Sequence, residues 1–250
     1  ERAAWRRRRC LVRHRAGPMM MMLRVPLHDL VEGERELDAA AARYVTRVHR
    51  LRRGDSFVAF DPDKRLEAES EILESGRRVR VRLGPPRAST AVATRKITLL
   101  QASVTANKLD QVVRDATELG ATEVVVIATD RATQRRNKRW ERIAVEAARQ
   151  AGRGDAPAIS GPVPLSKALA RTGVRLCLHP SAEESFAAAL RGVDPDAPVS
   201  IAIGPEGGFS DDEIALMREA GYRVVRLGRF VMRTETVCAA VLGALAALQD

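Results

Sequence analysis

Apolar residues in the first third of the chain come in short or alternating runs bounded by turn formers. Phe57, Val58 and Phe60 lie between a Gly54-Asp55 turn signal and an Asp61-Pro62 turn signal, and further short runs fill 66–73 and 79–83. Such runs between turn residues predict strands, so a small strand-rich domain, weakly patterned as a barrel, is expected after a more helical stretch over 37–51. Glycine and two prolines within 84–90 break the pattern. They mark a domain boundary there, before a strand that begins at Ile97.

Beyond the boundary the period changes. Leu109, Val112, Val113, Ala116 and Leu119 recur near 3.6 residues and stop at Gly120, which predicts a helix with one packing face. A buried strand follows over 124–127. An amphipathic helix over 138–150 places Trp140, Ile143, Ala144, Ala147 and Ala148 on its packing side. Strands are then expected over 174–178, 199–203 and within RVVRLG, separated by helices whose starts are read from two S-x-x-E boxes, Ser181–Glu184 and Ser210–Glu213. A last helix over 234–248 carries Val237, Ala240, Val241, Ala244, Leu245 and Leu248. Alternating strands and helices predict an α/β domain with an open parallel sheet, whose functional loops lie beyond the carboxyl ends of the strands.

Charge alters this picture less than its total suggests. The 250 residues carry a net charge of +10, but residues 1–24 alone hold eight arginines against one glutamate. The excess is therefore concentrated mostly in the head, which weakens the case for an evenly basic nucleic-acid surface and leaves room for a modest basic patch elsewhere. Four consecutive methionines, Met19–Met22, allow residues 1–22 to be an extension before the ordinary start; an RNA-contacting arm or a targeting segment are the other readings. Cys10, Cys177 and Cys238 are odd in number and far apart, so they suggest neither a disulfide framework nor a zinc site. The four histidines form no metal motif, and no metal is expected. No apolar stretch is long enough for a transmembrane helix, and a cytoplasmic setting is favoured.

Two segments carry the chemistry. In I201-A-I-G-P-E-G-G-F-S-D-D-E213 the glycines at 204, 207 and 208 allow close backbone approach and Pro205 restrains the turn, so that peptide groups could embrace a nucleotide or a sulfur-containing relative of one. The spacing is not GxGxxG and lacks GK[ST], which disfavours hydride transfer and ATP hydrolysis. The second segment, L227-G-R-F-V-M-R-T-E-T-V237, also lies between a strand and a helix. Gly228 permits a tight turn there, and Arg233, Thr234 and Glu235 could brace the loop or touch a ligand.

Taken in order, TELG at 117–120, EAARQAGR at 146–153, IGPEGGFSDDE at 203–213 and LGRFVMRTET at 227–236 resemble the ribosomal RNA small subunit methyltransferase E family of the SPOUT superfamily. The resemblance extends to HDLVEGERELDAAAARYVTRVHRLRRGDSFVAFDPD at 28–63 and departs from the family at Asp115, where lysine is usual. It implies a PUA-like RNA-binding β-barrel domain over 23–88 and a SPOUT methyltransferase domain with a deep trefoil knot over 89–250. It further implies an S-adenosyl-L-methionine cofactor, methylation of N3 of a specific uridine in the decoding region of 16S rRNA within the 30S subunit, and a homodimer.

Under this resemblance the cofactor site comprises Leu178, Ile203, Gly204, Pro205, Glu206, Gly207, Gly208, Leu227, Gly228, Phe230, Val231, Met232, Thr234 and Glu235. Arg153 and Arg233 are the candidates for stabilising charge on the uracil carbonyls, with Glu206 and Glu235 read as loop braces rather than bases. Lys108, Arg131, Arg135, Arg136, Lys138, Arg149 and Gln150 are the candidate RNA contacts. His179 is read as a solvent or structural residue with a lesser claim to touch a nucleotide. The alternative to an enzyme is a catalytically idle RNA-binding or ribosome-assembly protein on the same architecture.

Overall fold

A computed structural model describes residues 22–132 and 137–248. The Arg-rich head, apart from Met22, together with Arg135 and Arg136, lies outside the described residues. The chain divides into two compact units, one of Glu1–Val92 with Ala148–Ala156, the other of Ala93–Ala147 with Pro157–Asp250.

In the first unit, β1 (Arg24–Pro26), β2 (Gly33–Glu36), β3 (Ser56–Asp61), β4 (Leu66–Ser75), β5 (Val79–Leu83) and β6 (Arg87–Ala88) form one sheet. The strands run in the order β1-β3-β4-β5-β2, with β6 paired to β4. The β1–β3 pair is parallel and the rest are antiparallel. The turn signals at 54–55 and 61–62 flank β3 as expected, whereas β1, β2 and β6 have too few apolar residues to show in the pattern. The helical stretch is α1 (Ala39–Arg43), started by Asp38, whose Oδ1 accepts the Ala41 N–H at 2.8 Å, and it continues as a π-helical turn over Tyr44–Val48. Leu37, Ala41, Val45 and Leu51 from this stretch complete a core with Val25, Phe57, Ala59, Ile72 and Val81.

The second unit is built on β7 (Ile97–Ala102), β8 (Glu123–Ala128), β9 (Ala158–Pro164), β10 (Val174–Leu178), β11 (Glu184–Ser185), β12 (Val199–Ile203) and β13 (Arg223–Arg226). All seven are parallel, in the order β11-β13-β10-β12-β7-β8-β9. β7 and β12 are buried along their whole length, as strands covered on both faces must be. The helices are α2 (Ala106–Glu118), α3 (Arg139–Ala151), α4 (Leu165–Ala168), α5 (Phe186–Ala189), α6 (Asp211–Glu219) and α7 (Thr234–Ala246). Leu100 and Ala102 of β7 share a core with α4 and α6, while Gln101 reaches the start of α7, so the two sides of β7 serve different helix layers.

One capping expectation holds and the other does not. Ser210 and Glu213 form a reciprocal box at the start of α6. The Ser181–Glu184 pattern starts no helix: Glu184 lies in β11 and pairs with Arg223, and the four-residue α5 is capped by Ser185, whose Oγ accepts the Ala188 N–H at 3.1 Å. Cys177 and Cys238 are fully buried, with burial pushing both thiols up to about 12, in keeping with inert packing roles. Among the described residues no helix is long and apolar enough to cross a membrane.

Candidate functional site

The strand order places β13, β10 and β12 side by side, so the loops at their carboxyl ends meet above one edge of the sheet. These loops enclose a cavity of about 690 Å³, lined by residues 178–181, 203–209 and 227–234 together with Arg131, Asp211 and Val237. The site lies where parallel sheets ordinarily hold ligands.

Two side chains tie the glycine loop to the start of α7. Thr234 Oγ1 donates to the Gly204 carbonyl at 2.8 Å and accepts from Gln101 Nε2 at 3.3 Å. Both Thr234 and Gln101 are buried, and the hydroxyl partners the Gln101 amide nitrogen away from water, while Gln101 Oε1 is left without a hydrogen bond. Beneath them Phe209 packs closely enough that a Cβ on residue 204 would lie 3.2 Å from its ring. Glycine at 204 therefore reflects crowding. Gly208 and Gly228 have open space but φ of +72° and +74°, so there the backbone conformation, and not added bulk, disfavours other residues.

The outer side of the glycine loop is held by charge. Lys108 Nζ lies 2.6 Å from Glu206 Oε1, and its hydrogen bond holds the Glu206 carboxyl below the usual carboxylate range. A carboxylate so stabilised is a poor proton acceptor, in agreement with the brace reading. Arg131 Nη1 donates to the Gly207 carbonyl. Its neighbour Asp130 accepts from Ser210 Oγ at 2.7 Å and donates its N–H to Glu213 Oε1 at 2.9 Å. Lys108 and Arg131, both expected to contact RNA, thus hold the glycine loop.

The cavity brings together Leu178, Ile203, Gly204, Pro205, Glu206, Gly207, Gly208, Leu227, Gly228, Phe230, Val231, Met232, Arg233 and Thr234. Glu235 is not in its lining; one carboxylate oxygen is buried without a hydrogen-bond partner in the first turn of α7. Lys138 is exposed and does not line the cavity. Its neighbour Arg139 pairs with the buried Asp110 at 3.0 Å, so part of the local charge cluster is structural.

Arg149, Gln150 and Arg153 are also absent from the lining and belong to the first unit. The Arg149 guanidinium stacks 4.1 Å above the Tyr44 ring. Arg153 is buried, and its Nε donates to Asp155 Oδ1 at 3.0 Å. Arg153, expected at the reacting base, therefore stands outside the lining of this cavity.

His179, Pro180, Ser181, Phe209, Arg229 and Val237 line the cavity without having been assigned to it from sequence. His179 Nδ1 accepts the Ser181 N–H at 3.3 Å. Its position one residue past the predicted strand 174–178 was the available signal.

Comparison with known proteins gives a consistent result. The RNA methyltransferase domain family matches residues 91–246. The ribosomal RNA small subunit methyltransferase E of Mycobacterium bovis is 30% identical over 240 residues, covering 88% of this chain and 86% of the relative. The protein of the same name from Synechocystis is 28% identical over 242 residues, 93% of this chain and 79% of the relative. A Legionella pneumophila methyltransferase solved with S-adenosylmethionine superposes with a TM-score of 0.81 at 28% identity, covering 91% of this chain and 98% of that one.

Proposed function

Because the chain belongs to the ribosomal RNA small subunit methyltransferase E family of S-adenosylmethionine-dependent enzymes, we propose that it methylates N3 of a specific uridine in the decoding region of 16S rRNA, with the 30S subunit as substrate. The observation that carries this reading is the joining of the two motif loops by Thr234 Oγ1 and the Gly204 carbonyl into one cavity.

The residues present fit S-adenosylmethionine. A bare backbone at Gly204, where a Cβ would crowd Phe209, leaves peptide groups accessible, and Leu178, Ile203, Leu227, Met232 and Val237 offer apolar walls. When bound, the cofactor supplies a methyl group already activated as part of a sulfonium. The chain's own task is orientation, charge and the proton. Uracil N3–H must lose its proton as nitrogen attacks, and negative charge then spreads to the flanking carbonyls. Arg233, exposed at the cavity and ending its loop at the cap of α7, is the side chain to which this reading assigns stabilisation of that charge. The proton passes to a carboxylate or to an ordered water; Glu206, hydrogen-bonded to Lys108, is read as a loop brace rather than as that base.

A homodimer is part of the same reading. Helix α7 is apolar around most of its circumference, and the preceding loop exposes Phe230 and Val231 at 79% and 82%, the kind of surface that a second subunit would cover. The strand order also supports the knot, since the chain leaves β13 outside β10 and returns to pack α7 on β12 and α2.

The test is to supply labelled cofactor with naked 16S rRNA or with assembled small subunits and to locate the modified nucleotide by mass spectrometry. N3-methyluridine is the expected product. Cofactor binding without transfer to either RNA form would favour the idle RNA-binding alternative, and a different modified base would overturn the substrate while keeping the reaction class.

A further inference from the structure

The loop that joins β13 to α7 carries the open rim of the cavity. Its inner walls are sheltered, with Leu178 and Ile203 buried and Leu227 and Val237 half-buried, whereas Arg229, Phe230 and Arg233 on the rim are exposed. Of the phenylalanine, tyrosine and tryptophan side chains among the described residues, Phe230 alone is exposed, at 79%. A large aromatic surface kept in water at the mouth of a cavity is the surface that binding a flat ligand would bury.

The loop is short and fixed at both ends. Before it, Arg226 Nη1 donates to the Ala182 carbonyl at 3.0 Å; after it, Thr234 Oγ1 donates to the Gly204 carbonyl at 2.8 Å. Gly228 turns the chain between them at a φ of +74°. Phe230 is therefore displayed from a held segment, which limits the ordering cost of binding.

Cofactor and base make different demands on this site. A small ligand is enclosed over most of its surface, and the glycine loop and the inner walls offer that enclosure to S-adenosylmethionine. The base comes from the open side. Because N3 lies on the pairing edge of uracil, the nucleotide has to turn out of the RNA stack to react, and an aromatic ring restores part of the stacking so lost. Stacking engages only the face of the base. It leaves N3 and the flanking carbonyls free, and a phenyl ring has no polar atom to compete for N3–H. Arg233, three residues on, caps α7 without a side-chain hydrogen bond to it, so its donors are available to the carbonyls along the edge.

We propose that the Phe230 ring stacks on the target uracil and holds it for transfer, a positioning contact that complements the edge contact of Arg233. The assignment rests on the uridine-methyltransferase reading for the identity of the base. It moves Phe230 from the cofactor's wall, where the resemblance put it, to the substrate's. The homodimer reading draws on the same loop, so subunit contact is the competing use of this ring.

The experiment compares the full chain with its Phe230→Leu and Phe230→Trp variants. It measures kcat/KM for small subunits, affinity for 16S rRNA with S-adenosylhomocysteine present, cofactor affinity by calorimetry and oligomeric state by sedimentation. Leucine keeps the apolar bulk and removes the π face. Phe230→Leu is expected to lower kcat/KM at least about tenfold, and Phe230→Trp to stay near wild type, with cofactor affinity and oligomeric state unchanged in both. A leucine variant as active as wild type would overturn the stacking and, with N3-methyluridine still formed, leave the function standing. Cofactor affinity falling in step with activity would overturn it in favour of a cofactor wall, and dissociation of a dimer in favour of a subunit contact. If the wild-type chain transfers no methyl group, the enzymatic reading fails and the RNA affinities decide: a loss with leucine that tryptophan does not share upholds the ring contact, and equal affinities overturn it.

Discussion

At the scale of single residues, Thr234 is the most informative position, because its one hydroxyl both donates to Gly204 and accepts from Gln101. Thr234→Val keeps the shape and deletes that hydroxyl, so the half-buried Gly204 carbonyl loses its donor and the buried Gln101 amide keeps only the Ala102 carbonyl, at a cost of about 1–3 kcal/mol. Cofactor affinity measured by calorimetry is expected to fall tenfold or more in the valine variant, while Thr234→Ser stays near wild type. Equal affinities for all three would show that the tie does not organise the site. Sequence reading made the loop legible but not its mechanics. Glycine at 204 and at 228 look alike in the motif, yet one is crowded by the Phe209 ring and the other holds a positive φ. Lys108 and Arg131 look like solvated RNA contacts until the fold brings Glu206 and the Gly207 carbonyl to them, and both of those partners are distant in sequence.

At the scale of elements, the two S-x-x-E boxes show what local pattern can and cannot decide. Ser210–Glu213 precedes a run long enough to form α6, and its glutamate has a further partner in the Asp130 N–H. At Ser181–Glu184 the glutamate instead meets Arg223 across the β11–β13 pair, and strand pairing overrides the cap. Ser210→Ala should therefore lower stability by about 1 kcal/mol. Glu213→Ala should cost more, since it removes the box and the Asp130 tether together, and Ser181→Ala should cost almost nothing. Denaturant midpoints in the full chain check the ranking; a Ser181 effect as large as that of Ser210 would contradict it. The long amphipathic helices α2 and α3 and the buried strands were legible because each carries its own period. β9 was not, because A158-I-S-G-P-V-P164 mixes glycine and proline into a strand, and only its pairing with β8 makes it one.

At the scale of the whole molecule, the first unit takes Glu1–Val92 together with Ala148–Ala156, a return of the chain that a boundary expected near 84–90 does not foresee. That segment begins inside α3, whose apolar period runs without a break from Trp140 to Ala148, so nothing local announces a change of unit. The consequence falls on the two candidate arginines, which the sequence could not tell apart. Arg153 and the buried Asp155 form a pair at 3.0 Å, with Arg65 approaching the same carboxylate at 4.0 Å. Removing one partner from such a pair weakens the compensation of a buried charge, at up to about 3–5 kcal/mol. Arg153→Ala and Asp155→Ala should then lower the unfolding midpoint to a similar degree, and the double variant should lose much less than the sum of the two, the signature of a direct interaction. Arg233, exposed at the cavity, should behave in the opposite way: Arg233→Ala keeps the midpoint and cofactor affinity near wild type and reduces methyl transfer, with Arg233→Lys recovering part of the rate. If Arg153→Ala abolished transfer at an unchanged midpoint, its pairing with Asp155 would not be its main role, and the charge-stabilising function would have to be divided between the two arginines.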